Sequence, residues 1–228
     1  MKRNQDYKNA GLAVLNGNWK QAILATFILL VISELMTAAN WAFDRIDFSG
    51  TSWGGPVFTS FFVMVMLSFL YFLVLPLSVG FINTFNRLYC DSDNRILENL
   101  RKLSFHEMSR SAIVMLLMGI VTWFCSLLLF IPGVIASLSL FLTPYLLKDY
   151  PKMSAVQVLR LSHKMMQGHK MQLFMLQLSF IGWILLNILT LGIGSLWLTP
   201  YMLATFAAFY QDVKAEYLKK EGQQESAL

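Results

Sequence analysis

Six apolar runs set the terms on which this chain can fold: Trp19–Phe43, Val57–Ile82, Ile113–Ile131, Val134–Leu147, Met171–Leu191 and Ser195–Val213. Most approach the roughly 20 residues that a helix needs to cross the hydrocarbon core of a bilayer. The fourth run is short, and Lys148 and Tyr150 can complete it by reaching to the interface. Ile131-Pro132-Gly133 and Leu191-Gly192-Ile193-Gly194 read as tight turns, because proline suits a helix start and glycine ends a helix in left-handed geometry. Each flanking pair of runs therefore reads as a helical hairpin. A cleaved leader is the rival reading of the first run, with Thr37-Ala38-Ala39 as the candidate site. That run is long and follows a helical leader segment, so a retained span is expected.

Composition agrees with spanning runs. The chain of 228 residues is 56% hydrophobic and 14% charged, with a mean hydropathy of +0.55. Soluble domains carry about 25% charged residues, so too little polar surface is available to keep this chain in water. A soluble enzyme, a nucleic-acid-binding domain and a disordered chain are all disfavoured.

The net charge of +5 follows topology rather than a nucleic-acid partner. Seventeen of the 18 Lys and Arg residues lie in the N-terminal segment, the second and fourth connections and the C-terminal tail, leaving only Arg45 in the odd-numbered connections. The positive-inside bias then places both termini in the cytoplasm. Cys90 and Cys125 read as free thiols. His106, His163 and His169 are scattered, and the spacing of the last two turns them to different helix faces, so no metal site is expected.

A pattern recurs three times. A short amphipathic segment precedes each odd-numbered run, with Tyr7, Ala10, Gly11 and Val14 on one face of the first. Ile96, Leu100 and Leu103 form the second such face, and Val158, Leu159, Ser162 and Met166 the third. Breaks follow at Asn16-Gly17-Asn18, Leu103-Ser104 and Gln167-Gly168-His169. Ser104 with Glu107, and Ser154 with Gln157, fit capping boxes. The even-numbered runs share Pro76, Pro144 and Pro200 as candidate kink positions. Two of these sit in near-identical contexts, Leu142-Thr143-Pro144-Tyr145-Leu146-Leu147 and Leu198-Thr199-Pro200-Tyr201-Met202-Leu203. A mid-helix proline frees a carbonyl that needs a new partner in lipid. The expected architecture is an all-α polytopic membrane bundle of about six transmembrane helices with three short cytoplasmic interfacial helices. Residues 1–213 form one membrane domain, with pseudo-threefold units at about 1–90, 91–150 and 151–213. Residues 214–228 read as a polar cytoplasmic tail.

A resemblance rests on particular residues. They are Ser162-His163-Lys164-Met165-Met166-Gln167-Gly168-His169-Lys170, Leu178-Ser179-Phe180-Ile181-Gly182-Trp183, Leu189 to Gly194, Trp197 to Tyr201, and Ala207-Ala208-Phe209-Tyr210-Gln211-Asp212. Together they resemble the bacterial integral membrane family catalogued as domain of unknown function 975, strongly over the last third of the chain. That family brings no established activity or catalytic residues. It is more remotely similar to membrane regions attached to some bacterial glycerophosphodiester phosphodiesterases, whose catalytic domain has no counterpart here. The resemblance implies a membrane bundle of bacterial origin.

Candidate chemistry is sparse. Glu34 is the one carboxylate well inside a predicted span, where a charge costs about 2.5–3.5 kcal/mol on insertion scales. It either binds a proton, a cation or a substrate donor, or pairs with a polar neighbour or outer water. Asn187, Thr143, Thr199 and Tyr201 are further candidates for an intramembrane polar site, with helix packing as the alternative role. Gln172 and Gln177 add polarity. Arg101, Lys102, Arg160, Lys164 and Lys170 are candidate anionic-lipid contacts, as are the neighbouring Arg95, Arg110, Lys148 and Lys152, each contributing about 1 kcal/mol when close to such a surface. The positive-inside bias alone explains them equally. Met153, Met165, Met166 and Met171 offer either an adaptable partner surface or ordinary helix packing. Ser104 beside His106 lacks an orienting acid, so no catalytic site and no cofactor are expected. The reading is a non-enzymatic inner-membrane protein contacting lipid or a membrane protein partner as an accessory factor. The alternative is a small transporter or channel using Glu34 and the proline-interrupted helices.

Overall fold

The computed structural model describes residues 2–44, 77–90, 96, 98, 108–128 and 130–225. The described residues form helices and turns, with no strand among them. In chain order the helices are α1 (Asn4–Leu15), α2 (Trp19–Asp44), α3 (residues 77–90), α4 (Met108–Leu128) and α5 (Phe130–Leu140). They continue with α6 (Thr143–Asp149), α7 (Ala155–Met165), α8 (Lys170–Leu178), α9 (Ile181–Leu189) and α10 (Ser195–Glu225). Pro76, Arg101, Lys102 and the Ser104–Glu107 cap lie outside the described residues, as do Leu100, Leu103 and most of the second apolar run.

The N-terminal helix is amphipathic, and its apolar face is packed, with Ala10 and Val14 half-buried at its edges. The Asp6 carboxylate accepts from the Arg3 backbone N–H at 2.8 Å and closes the helix start. Tyr7, Gly11 and Leu15 are buried. At Gly11 a Cβ would lie 2.7 Å from Thr205 Oγ1 and 2.8 Å from the Thr205 backbone nitrogen. Only glycine permits this approach of α1 to α10. The chain then breaks at Gly17, whose φ of +87° suits glycine, and α2 leaves at 98° to α1.

The second apolar hairpin does not turn at Pro132 and Gly133 as expected. Pro132 and Gly133 lie in the first turn of α5, which is helical from Phe130, because proline is well placed where helix N–H groups have no partner. The fourth run is not one continuous helix. Turn residues Phe141 and Leu142 separate α5 from α6, and Pro144 sits in the first turn of α6. Ser154 and Gln157 cap α7 reciprocally, with bonds of 2.8 and 3.4 Å. Val158, Leu159, Ser162 and Met165 form its buried face, and Ser162 Oγ donates to the Ser139 carbonyl at 2.9 Å.

The chain breaks again at Gly168, with φ +85°, before α8 and α9. The α9–α10 turn uses left-handed geometry at Leu191 (φ +52°) and Gly192 (φ +86°). Its 31 residues make α10 about 46 Å long at 1.5 Å per residue, beyond the roughly 30 Å of a hydrocarbon core. Residues 214–225, read from sequence as a tail, continue this helix, and Tyr217 packs against the core.

Two cores meet on α10. One joins α1, α5–α8 and α10 around Tyr145, Met166, Phe180, Phe209 and Tyr210; the other joins α1–α3 and Ile96 to Ala204. Elsewhere apolar side chains face outward, among them Phe27 and Leu35 on α2 and Trp123 and Phe124 on α4. On α9 no residue is buried. Among the described residues, Ile131–Asp149 and Lys170–Leu189 are long and apolar enough to cross a membrane. The bent α1–α2 pair would add a third crossing. A helical bundle with outward apolar faces is consistent with a place in a membrane.

Candidate functional site

Polar side chains concentrate where α1, α6, α7 and α8 surround the second half of α10. Tyr7 donates to Asp212 Oδ2 at 2.6 Å, while Gln172 Nε2 donates to Tyr7 Oη at 3.3 Å and to the Lys2 carbonyl at 3.0 Å. Lys2 lies 3.7 Å from Asp212, so the start of the chain is held beside the α10 segment that leads to its end. Burial first, and then the bond to Asp212, push the Tyr7 hydroxyl above its ordinary titration range. Lys8 is only 9% exposed, donates to the Ser179 carbonyl at 2.7 Å and sits 4.4 Å from the Phe180 ring centroid. Its burial lowers the ammonium pKa. Ser179 has this carbonyl to offer because the α8–α9 helix breaks there.

A second cluster fastens α6 to α10. Asp149 accepts from Tyr210 at 2.5 Å and pairs with Lys214. Tyr145 stacks on Tyr210, with centroids 4.8 Å apart and planes at 17°. Arg110, read from sequence as a lipid-facing cation, donates to the carbonyls of Leu147, Tyr150 and Met153 at 3.2, 2.8 and 2.6 Å. It thereby satisfies carbonyls at the C-terminal end of α6, where helices leave such groups unpaired.

A third cluster occupies the α7–α8 break. His169 is 7% exposed; its Nε2 lies 3.9 Å from Glu216, and its Nδ1 is buried without a hydrogen-bond partner. Desolvation lowers the His169 pKa, with the Glu216 carboxylate opposing. Glu216 pairs with Lys220 at 2.7 Å, which lowers its own pKa. Lys164 lies 3.5 Å from Glu221 and 5.2 Å from the Tyr217 ring centroid. Lys164, Gln167, His169, Tyr217, Lys220 and Glu221 border a cavity of about 210 Å³, with Met165 completing the wall.

The sequence-derived intramembrane candidates do not form one site. Asn187 and Tyr201 share a cavity of about 310 Å³ with Trp19, Trp183 and Trp197. Glu34 is exposed on a separate open groove of about 680 Å³, beside Leu191, Ile193 and Ser195. Thr143 is wholly buried and its hydroxyl has no partner, whereas Thr199 is half-buried on α10. The Pro144 carbonyl accepts from Asn83 Nδ2 at 2.7 Å. Of the candidate lipid contacts, Arg160 and Lys164 are exposed and Lys170 is half-buried.

Sequence reasoning missed Lys8, Asn83 and His169 as buried polar residues, and half-buried Asp149 as the partner of Tyr210 and Lys214. Asn83 and Asp149 sit at edges of apolar runs, a signal that marks span ends and packing contacts equally. Among the described residues no cluster of three or more His, Cys, Asp and Glu side chains could hold a metal ion. A family model described as "Protein of unknown function (DUF975)" matches residues 56–217. No curated protein and no solved structure matches the chain.

Proposed function

The chain belongs to the DUF975 family, and on that premise we propose a non-enzymatic accessory protein of the bacterial inner membrane. In this reading it has six spans in three repeated units, both termini in the cytoplasm, and contacts with anionic lipid or a membrane protein partner. The observation carrying the membrane reading is α9, where Leu185, Ile188 and Leu189 are 63%, 67% and 79% exposed. Such a surface suits lipid and not water. The repeat is supported by the near-identical φ of Gly17 and Gly168 at corresponding breaks, each between an amphipathic helix and an apolar one. Lys2 beside Asp212 supports placing the chain's two ends on one side. The binding role is supported by exposed Arg160, which forms no ion pair among the described residues.

Two experiments test this reading. In a variant without Cys90 and Cys125, cysteine at Leu191 should react with an impermeant reagent in spheroplasts, and cysteine at Gln223 should not. Labelling at Gln223 alone would reverse the orientation. Purified protein in proteoliposomes should carry no proton or cation flux that depends on Glu34. Flux abolished by a well-folded Glu34→Gln variant would replace the accessory reading with transport. Mass spectrometry of gently purified protein should find retained anionic lipid or a reproducible membrane protein partner.

A further inference from the structure

We propose that the cavity between α9 and α10 reversibly binds a quinone, an apolar ring with two carbonyl oxygens and a long apolar tail. This rests on the membrane reading above and is independent of the choice between accessory and transport roles.

The cavity is a product of the fold. Between α8 and α9 the helix breaks at Ser179 and Phe180, and each displaced backbone group finds a new partner. The Phe180 N–H donates to the Gln177 carbonyl at 3.0 Å, Ser179 Oγ donates to the Leu176 carbonyl at 2.6 Å, and Lys8 donates to the Ser179 carbonyl at 2.7 Å. Beyond this break α9 buries no residue, and the gap it leaves beside α10 has a volume of about 310 Å³. Leu12 and Trp19, at the α1–α2 corner, complete its wall. The volume is at the lower end of the usual range for ligand pockets, roughly 300–1,000 Å³, which suits a ring system and leaves its tail outside. Exposed Leu185 and Ile188 on α9 offer that tail an apolar surface.

The chemistry of the wall selects the ligand. Trp19, Trp183, Trp197 and Tyr201 all border the cavity, and none of their side chains forms a hydrogen bond among the described residues. Trp183 and Tyr201 stand inside the last two apolar runs, where an N–H or O–H left without an acceptor is costly. The other side-chain oxygens of the wall are taken or closed off. Thr190 Oγ1 donates to the Asn187 carbonyl at 3.0 Å and accepts from the Gly194 N–H at 3.2 Å. Asn187 Oδ1 is buried against Gly194, where a Cβ would lie 3.0 Å from it. The wall therefore presents donors in excess of acceptors, and its guest must accept hydrogen bonds. This disfavours a cation or an alcohol. Four aromatic side chains then favour a flat ring over an acyl ester, since rings pack on one another edge-on or offset. Trp183 and Phe180 already meet Tyr201 edge-on, with centroids 6.5 and 5.3 Å away.

The test uses four probes that share a decyl tail: decylubiquinone, monodecanoylglycerol, decylbenzene and decyltrimethylammonium. Each is titrated calorimetrically into full-length protein in detergent micelles, against empty micelles. Decylubiquinone should bind saturably and about tenfold tighter than the other three. Tyr201→Phe, which keeps the ring and removes the donor, should weaken it about fivefold, and Trp183→Phe about threefold. Trp123→Phe, on α4 and away from the cavity, should change it by less than about twofold. Melting temperatures of the three variants separate lost binding from lost folding. Equal binding of decylbenzene would overturn the proposal by showing that the donors play no part. Equal binding of monodecanoylglycerol would make a lipid ester the occupant, and preference for decyltrimethylammonium would make the rings a cage for a cation. Equal effects of Tyr201→Phe and Trp123→Phe would remove the cavity as the place of binding. No saturable decylubiquinone binding would overturn the site and leave the membrane reading standing, because cysteine labelling tests that reading separately.

Discussion

The segments around Pro144 and Pro200 have almost the same sequence and different structures. In the first, Phe141 and Leu142 interrupt the helix, Thr143 is buried and Tyr145 is 2% exposed against Tyr210. In the second, Pro200 sits inside the uninterrupted α10, and half-buried Tyr201 borders a cavity, with the Phe180 ring 5.3 Å away edge-on. Proline forbids one helical hydrogen bond in both places. The difference is a neighbour. Asn83 donates to the Pro144 carbonyl at 2.7 Å and to the Val79 carbonyl at 2.9 Å, so α3 joins the backbone of α6. No corresponding side-chain bond reaches the Pro200 carbonyl among the described residues. Asn83 therefore ties α6 to α3 at Pro144, although the carbonyl that Pro144 itself frees is that of Leu140, four residues earlier.

The largest test of this contrast is removal of the two tyrosines. Tyr145→Ala should cost about 3–5 kcal/mol of stability in detergent, as expected for emptying a buried aromatic site. Tyr201→Ala should cost less than half as much, because its ring already borders open space. Equal losses of melting temperature would show that the two motifs are energetically alike. Next in size, Asn83→Leu should cost about 1–3 kcal/mol by leaving two buried carbonyls without this donor. Amide exchange should rise around Tyr145–Leu147 and not around Tyr201–Leu203. Exchange rising equally in both would remove Asn83 as the cause of the difference.

The glycine break before α8 gives a smaller effect. Gly168→Ala should cost about 1 kcal/mol, because φ +85° disfavours any side chain although the space beside it is open. Gly11→Ala meets the Thr205 backbone instead and should cost more, about 1–3 kcal/mol, by overpacking. A larger loss at Gly168 than at Gly11 would contradict this assignment of strain and contact.

The smallest effect is on pH dependence. Burial lowers the His169 pKa below its ordinary 6.5, Glu216 and Asp212 oppose that shift, and Lys220 and the N-terminus add to it. The unfolded chain therefore binds a proton more readily than the folded one. His169 contributes stability that is present above about pH 6.5 and is lost as pH falls through the folded value. Melting temperature should drop from pH 7.5 to 5.5, and the drop should shrink in His169→Gln. An unchanged slope would assign the acid sensitivity to other groups.

The local devices were legible in the residues themselves. The Ser154–Gln157 cap, the breaks at Gly17 and Gly168, and the buried faces of α1 and α7 all follow from hydrogen bonds or side-chain spacing within a few turns. Helical periodicity and glycine's access to left-handed geometry act over that same short range. The destinations of polar groups were not legible. The capture of three carbonyls by Arg110, the burial of Lys8 and the convergence of Tyr210 and Lys214 on Asp149 join residues 37 to 171 positions apart. The sequence determined where α1 and α7 end and which faces they bury, but not whether a helix breaks at Pro144 or Pro200. Only tertiary structure decided which faces meet protein, because hydrocarbon and a protein core are both apolar and accept the same side chains. Close approach at Gly11 and the pairing of polar groups then selected one packing, since in a buried site an unpaired donor or charge costs more than an exposed leucine costs in lipid.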